Sequence, residues 1–266
     1  MPSREAWVLT LGNEVVQGRV VNTNAAYLGR RLFILGLDIL GNISLVDDVG
    51  LVSTFLKELL GREPKLIVTS GGLGPTYDDR TLEAVARATG RPLKLNEDAL
   101  RMVEEWDREG GYELTEERVK MAYLPEGAVP ISNPVGSAPG SWLEVGETIV
   151  ISLPGVPKEL EAMWEGWVEP RIREVIPTRY VVEKTFRVVG VPESSAARIV
   201  KKVLRIYDSV YIKTHPKGDE VRKPVLDVYV LASGSNRLEA EELVAEVTGE
   251  LKEGLRELGG VIKEAE

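Results

Sequence analysis

Apolar positions along the first 170 residues switch between two periods. Residues 6–11 (AWVLTL) form a short apolar run of the strand type, and residues 24–35 follow with Leu28, Leu32 and Leu35 spaced as on one helix face. Residues 37–46 predict a second strand and residues 51–60 a second helix. Residues 65–69 (KLIVT) predict a strand so uniformly apolar that both its faces should be buried. From Thr81 a helix is predicted with Leu82, Val85, Ala86 and Thr89 on one face, ending at Gly90-Arg91-Pro92. Two more polar helices, over 97–109 and 115–122, belong on the surface. A turn-rich segment then leads to a hairpin of residues 141–145 and 148–153 around Gly146-Glu147, and a last helix runs from Lys158 to about Arg173. Strand and helix alternating in this way imply βαβ units on a mostly parallel sheet, a three-layer α/β/α arrangement.

Helical periodicity stops at Val175-Ile176-Pro177-Thr178, which reads as a linker between domains at 1–175 and 176–266. Beyond it the pattern gives strand (181–189), helix (193–205), strand (209–214), strand (225–232) and helix (237–258). That βαββα order predicts a small α+β domain.

Composition narrows the chemistry. With 266 residues, 43% of them hydrophobic, the chain can bury a real core and is not expected to be disordered. It has no cysteine and a single histidine, which excludes disulfides, thiolate metal sites, a thiol nucleophile and any His-rich zinc site. A Ser-His-Asp triad would depend wholly on His215, which reads as a surface loop residue, so oxygen chemistry is left to carry any reaction. The N-terminal residues are charged and no long apolar run occurs, so a cytoplasmic protein with no membrane partner is expected. One glutamine, no cysteine and many ion-pairing residues lean toward a thermophilic source. The net charge of -9 falls entirely within the first 175 residues. An anion bound there needs backbone donors or a metal.

The most informative segment is residues 69–79 (TSGGLGPTYDD), where Gly71, Gly72 and Gly74 follow a buried strand and precede a helix. Glycines let the backbone approach a ligand, and successive N–H groups at a helix start make a phosphate cradle. The spacing is neither a Walker loop nor the dinucleotide fingerprint. The alternative is a tight turn with Asp79 as helix N-cap. Asp78 and Asp79 would repel a phosphate unless a divalent cation lay between, so the pair predicts a metal. Asp47-Asp48 follows the second strand and Glu14 the first. In a parallel sheet such loops converge on one edge, which gathers Glu14, Asp47 and Asp79 around one site.

Residues 12–18 (GNEVVQG), 21–24 (VNTN), 70–79 (SGGLGPTYDD), 133–140 (NPVGSAPG) and 153–159 (LPGVPKE) together resemble the N-terminal part of the CinA family, over about residues 5–175. The resemblance implies the molybdopterin-binding fold shared with MoaB, MogA and MoeA, with Glu14, Asp47 and Asp79 lining the ligand site and the glycine loop cradling a pterin or nucleotide phosphate. It also implies a metal-dependent ADP-ribose pyrophosphatase yielding AMP and ribose 5-phosphate. Asp47 and Asp79 would then hold Mg²⁺, Mn²⁺ or Co²⁺, and Glu14 or Asp78 would act as general base or second ligand. Ser70, Gly71, Gly72, Leu73, Gly74 and Thr76 would surround the phosphates. Asn133 and Gly136, with Pro154 and Gly155, would complete the wall, and Lys158 would meet a phosphate or solvent. Asn22, Thr23 and Asn24 would bond substrate, unless Thr23 or Asn24 simply caps the first helix.

Two other readings stay open: a molybdopterin-handling protein of cofactor biosynthesis, and a non-enzymatic nucleotide- or nucleic-acid-binding module. The second domain resembles the KH-like domain that follows in CinA proteins. Lys201, Lys202, Arg205, Lys213 and Lys217 make it locally basic, yet the Gly-x-x-Gly clamp of an RNA-binding KH domain is missing and nucleic acid is not the expected partner. By analogy with superfamily relatives a homo-oligomer, dimer or trimer, is expected. Longer CinA proteins carry an amidase domain that this sequence does not include, so amidase activity is not expected.

Overall fold

A computed structural model describes residues 4–207, 209–217 and 224–264. Their contacts divide the chain into two compact units, one reaching to Pro177 apart from Ile34–Gly36, the other formed from Thr178 onward together with those three residues.

The first unit runs β1 (Glu5–Leu11), α1 (Asn13–Val16), α2 (Thr23–Ile34), β2 (Asp38–Leu45), α3 (Val49–Leu60), β3 (Leu66–Ser70) and α4 (Thr81–Thr89). It continues with β4 (Leu93–Leu95), α5 (Glu97–Gly110), α6 (Glu116–Lys120), β5 (Tyr123–Pro125), β6 (Val129–Ile131), β7 (Gly140–Val145), β8 (Thr148–Leu153), α7 (Pro157–Met163) and α8 (Glu169–Val175). Six strands form one sheet in the order β2-β1-β3-β8-β7-β6. β2, β1, β3 and β8 run parallel to one another, whereas β7 pairs antiparallel with β8 and β6 antiparallel with β7. Every residue of β3 and β8 is buried, odd and even positions alike. That is possible only where helices cover both faces of the sheet. β2 at the edge keeps an alternating, half-exposed pattern instead. On one face, Leu9, Ile67 and Val150 from the sheet pack with Val52 and Leu56 of α3, Val85 of α4 and Val103 of α5. Burying side chains of this size stabilises by roughly 1.5–3 kcal/mol each.

Two local features depart from the sequence reading. The helix expected from Lys158 to about Arg173 widens into a π-helical turn over Trp164–Val168 between α7 and α8. Pro170 has no N–H for the carbonyl one turn back, and its ring crowds that carbonyl, so the regular ladder cannot pass. Leu160, Trp164, Val168 and Ile172 are all fully buried at intervals of four. Such a stripe drifts around a 3.6-residue helix, and the wider turn brings it back into line. The second feature is three short strands, β4, β5 and β6, none of which was predicted. Three residues are too few to display a two-residue period.

The second unit is β9 (Tyr180–Val189), α9 (Glu193–Val203), β10 (Val210–Pro216), β11 (Val225–Gly234), α10 (Arg237–Glu257) and β12 (Val261–Glu264). Its antiparallel sheet has the order β10-β11-β9-β12, so the expected βαββα order gains a closing strand and becomes a split β-α-β-β-α-β unit. β12 shows little apolar signal because only Ile262 of its four residues is even partly buried. Phe186, Val188, Val228 and Val230 from the sheet close on Val244, Val247 and Leu251 of α10. Arg187 and Asp227 face each other across β9 and β11, with guanidinium-to-carboxylate bonds of 2.6 and 3.0 Å.

Two tests follow from these contacts. Gly71 has φ 107°, and a Cβ there would lie 2.2 Å from the Leu11 carbonyl oxygen, whereas Gly146 in the hairpin turn has φ 59° and open space around it. Gly71→Ala should cost about 3 kcal/mol or more in denaturant unfolding and Gly146→Ala about 1 kcal/mol; equal costs would mean that the strand ends do not press on each other. The Arg187 hydrogen bonds hold the Asp227 carboxyl below its ordinary range against partial burial. A depressed carboxyl contributes stability above its unfolded pKa of about 3.9, and that contribution is lost as pH falls through the folded value. The unfolding midpoint of the wild type should therefore drop more steeply than that of Asp227→Asn as pH is lowered from about 5 to 3, and parallel profiles would contradict the assignment.

Candidate active site

The ends of β1, β2, β3 and β8 are tied together by backbone and side-chain bonds. Gly12 N donates to Leu45 O at 3.1 Å and Gly71 N to Leu153 O at 2.9 Å, which sets the loops after the four parallel strands side by side. Asn13 N then donates to Asp47 Oδ2 at 2.9 Å, turning that carboxylate toward the loop after β1. Its neighbour Asp48 does a different job: it is the N-cap of α3, accepting the Leu51 N–H at 2.6 Å.

The glycine loop is fixed by packing. Gly72 has φ 66°, and a Cβ on it would meet the Thr81 hydroxyl at 2.3 Å, while a Cβ on Gly74 would meet Asp79 Oδ2 at 2.7 Å. Thr81 closes the loop from α4, its N–H on Gly72 O at 3.1 Å and its hydroxyl on Gly71 O at 2.8 Å. Asp79 is not the cap of α4, which begins at Thr81 with Arg80 in the cap position. Its Oδ2 instead accepts the Thr76 N–H at 2.9 Å and approaches the Thr76 hydroxyl at 2.5 Å, the same distance that separates this hydroxyl from Asp78 Oδ1. Lys120 Nζ holds the loop from outside through the Thr76 carbonyl. The N–H groups of Gly72, Leu73 and Gly74, and those of Gly155 and Val156, donate to no group among the described residues.

These loops enclose a cavity of about 580 Å³ lined by Glu14, Asp47, Asp78, Asp79 and Glu159, by Gly71, Gly72, Leu73, Gly74 and Thr76, and by Pro154 and Gly155. Among the described residues five carboxyl groups line it and no lysine or arginine does. Partial burial, and then the charges of Glu14, Asp78 and Asp79, push the Asp47 carboxyl above the usual range, against the lowering effect of the Asn13 N–H. Asp78 goes the other way, held low by the Thr76 hydroxyl, its own N–H and the charge of Lys120. An all-oxygen donor set of this kind suits a hard divalent cation. Among the described residues no three acidic or histidine side chains converge closely enough to hold a metal by themselves, so phosphate oxygens or water would have to complete a shell.

Several residues predicted as ligand contacts shape the wall instead of lining it. Asn24 is buried and its amide donates to Ser70 Oγ and to Gly155 O, both at 2.8 Å, while Ser70 Oγ donates to Pro154 O at 3.2 Å. The two clamp the 154–157 loop to the end of β3. Asn22 accepts the Ala25 N–H in the first turn of α2, which leaves Thr23 as the first residue of that helix. Asn133 is buried, its amide donating to Ala138 O at 3.1 Å and Glu159 Oε2 at 2.8 Å. Gly136 leaves room for that carboxylate, because a Cβ there would lie 2.4 Å from Glu159 Cδ. Lys158 is exposed and does not line the cavity.

Glu159 itself went unpredicted. In the first turn of α7 the reading chose Lys158 for its charge, but the side chain that turns inward is the next one. Ser137 and Ala138, from the 133–140 loop expected to complete the wall, also line the cavity, as do Gly12 and Leu11 at the end of β1.

Residues 7–174 match the family model of a probable molybdopterin binding domain. A protein of Aeropyrum pernix is 47% identical over 259 residues, spanning 97% of this chain and 96% of its own. A protein of Metallosphaera sedula is 44% identical over 257 residues, with 97% and 96% covered. Among solved structures, the protein CinA with unknown function from Thermoplasma acidophilum aligns at 42% identity and a TM-score of 0.59, covering 64% of this chain and 99% of that one. No helix among the described residues is long and apolar enough to cross a membrane. The chain belongs to the family of the molybdopterin-binding domain and, within it, to the CinA proteins.

Proposed function

We propose that the cavity takes a nucleoside diphosphate compound together with a divalent metal and hydrolyses its diphosphate bond, converting ADP-ribose to AMP and ribose 5-phosphate. The observation that carries this reading is the lining among the described residues: five carboxyl groups, no basic side chain, and a row of unpaired backbone N–H groups on the glycine turn. A diphosphate entering alone would meet like charge. It is accommodated if Mg²⁺, Mn²⁺ or Co²⁺ enters with it, and when bound the metal supplies charge neutralisation and polarises a phosphoryl oxygen.

The chain's own residues divide the remaining tasks. Asp47 and Asp79 would hold the cation, Asp79 being preset by the Thr76 N–H and hydroxyl. The N–H groups of Gly72, Leu73 and Gly74 receive phosphate oxygens, as fixed donors that need no rearrangement. Water then adds across the P–O–P link: its oxygen ends on one phosphorus, the bridging oxygen leaves with the other, and the released proton passes to a base. Glu14 suits that role better than Asp78. The Glu14 carboxylate has no hydrogen-bond partner among the described residues, whereas Asp78 is engaged by the Thr76 hydroxyl.

A second reading, retention of a molybdopterin-type ligand without turnover, is supported by the family match over residues 7–174. AMP release from ADP-ribose with Mg²⁺, Mn²⁺ or Co²⁺ separates the two. Glu14→Gln should lower turnover about 10²- to 10⁴-fold. Asp47→Asn should lower it comparably, while Asp48→Asn, which keeps an effective N-cap, should stay within about twofold of wild type. Unchanged turnover in Glu14→Gln removes it as base. Absence of AMP with all three metals, alongside stoichiometric molybdopterin binding, would replace hydrolysis by the second reading.

A further inference from the structure

The basic stretch of the second unit has no part in the cavity just described. Lys201 stands in the last turn of α9, Arg205 in the turn just beyond it and Lys213 on β10, and the three line a groove of about 380 Å³ together with Val200, Leu204 and Ile212. None of the three cations forms a salt bridge or side-chain hydrogen bond with any described residue. In a chain of net charge -9, where nine of the described basic side chains of the first unit form salt bridges, that is a local surplus. β10 is also the outermost strand of its sheet, paired with β11 alone, so its outer row of N–H and C=O groups lacks a partner strand among the described residues.

We propose that this groove binds an extended acidic peptide that adds a strand to the free edge of β10. Main-chain bonds to the edge would supply affinity. Alternate side chains of an added strand point to one face, so apolar ones would enter the groove between α9 and β10. Carboxylates on the same segment would meet Lys201, Arg205 and Lys213. Among the described residues the acidic side chain that bonds to β10, Glu193, accepts the Thr214 hydroxyl at 2.7 Å and does not line the groove. A second copy of the chain is a poorer occupant, because two antiparallel β10 strands centred on Lys213 would bring the like charges of that residue together. A nucleic acid strand is poorer too. Unspecific single-strand binding uses aromatic platforms, and no residue lining the groove is aromatic.

The test uses the full chain and fluorescence anisotropy with a labelled peptide of alternating valine and glutamate, its valine–lysine counterpart, and a labelled oligothymidylate. The valine–glutamate peptide should bind, more weakly at high salt. Hydrogen exchange at the β10 amides should slow when it is bound. Leu204→Asp, and the combined Lys201→Glu, Arg205→Glu and Lys213→Glu variant, should each weaken it at least about tenfold. All four positions are solvent-facing, so native circular dichroism is expected in both variants. Failure of the acidic peptide to bind, equal binding by the lysine peptide or by the charge-reversed variant, or tighter binding of the oligonucleotide would each overturn the proposal. So would peptide binding that leaves exchange at β10 unchanged.

Discussion

Like charges confined at the ends of parallel strands are the constraint around which the first unit is built. Asp47, Glu14, Asp78 and Asp79 come from three separate loops and would relax apart if those loops were free. They are not free. Gly71 presses against the end of β1 so closely that no side chain fits between, and Gly12 bonds to the last residue of β2. Backbone geometry thus holds these carboxylates around one cavity, where the charges of Glu14, Asp78 and Asp79 add to partial burial in raising the Asp47 carboxyl. This gives the glycines a double role: they permit the close approach of strands that the charge cluster requires, and they leave N–H groups unpaired at the spot where an anion would arrive.

The same logic explains why several polar residues near the cavity do not line it. A rigid wall needs its own hydrogen bonds. Asn24 and Ser70 fasten the 154–157 loop, and Asn133 with Glu159 fastens the 133–138 loop. Their amides and hydroxyls are spent inside the protein, which keeps the two loops in place beside the glycine turn. Sequence patterns cannot separate a side chain that touches a ligand from one that holds the loop that does, because both occur in the same short motifs.

Much of the architecture was legible from periodicity. β3 is apolar enough to announce burial on both faces, β1 and the β7–β8 hairpin read as strands, and the acidic residues that follow parallel strands had to meet at one sheet edge because such loops converge there. What escaped detection has physical causes. β4, β5 and β6 are three-residue strands with no room for a pattern, and β12 joins its sheet with mostly exposed side chains. The π-helical turn depends on Pro170 inside a helix whose apolar stripe otherwise reads as continuous. Glu159 was hidden by its neighbour Lys158, whose charge suggested a phosphate although it does not line the cavity. Asp48, the neighbour of Asp47, had no role in the sequence pattern, and the structure makes it the N-cap of α3.

The proposed function requires that an anion reach this acidic cavity only in the company of a divalent cation. Calorimetric titration of a methylene-bridged, non-hydrolysable analogue of ADP-ribose, with Mg²⁺ and again in excess chelator, measures it directly and apart from turnover. Binding that is seen with metal and weakened at least about a hundredfold without it, a difference of about 2.7 kcal/mol, is the expected result. Equal affinity in chelator would show that backbone donors alone overcome five carboxylates, and the charge argument would be wrong.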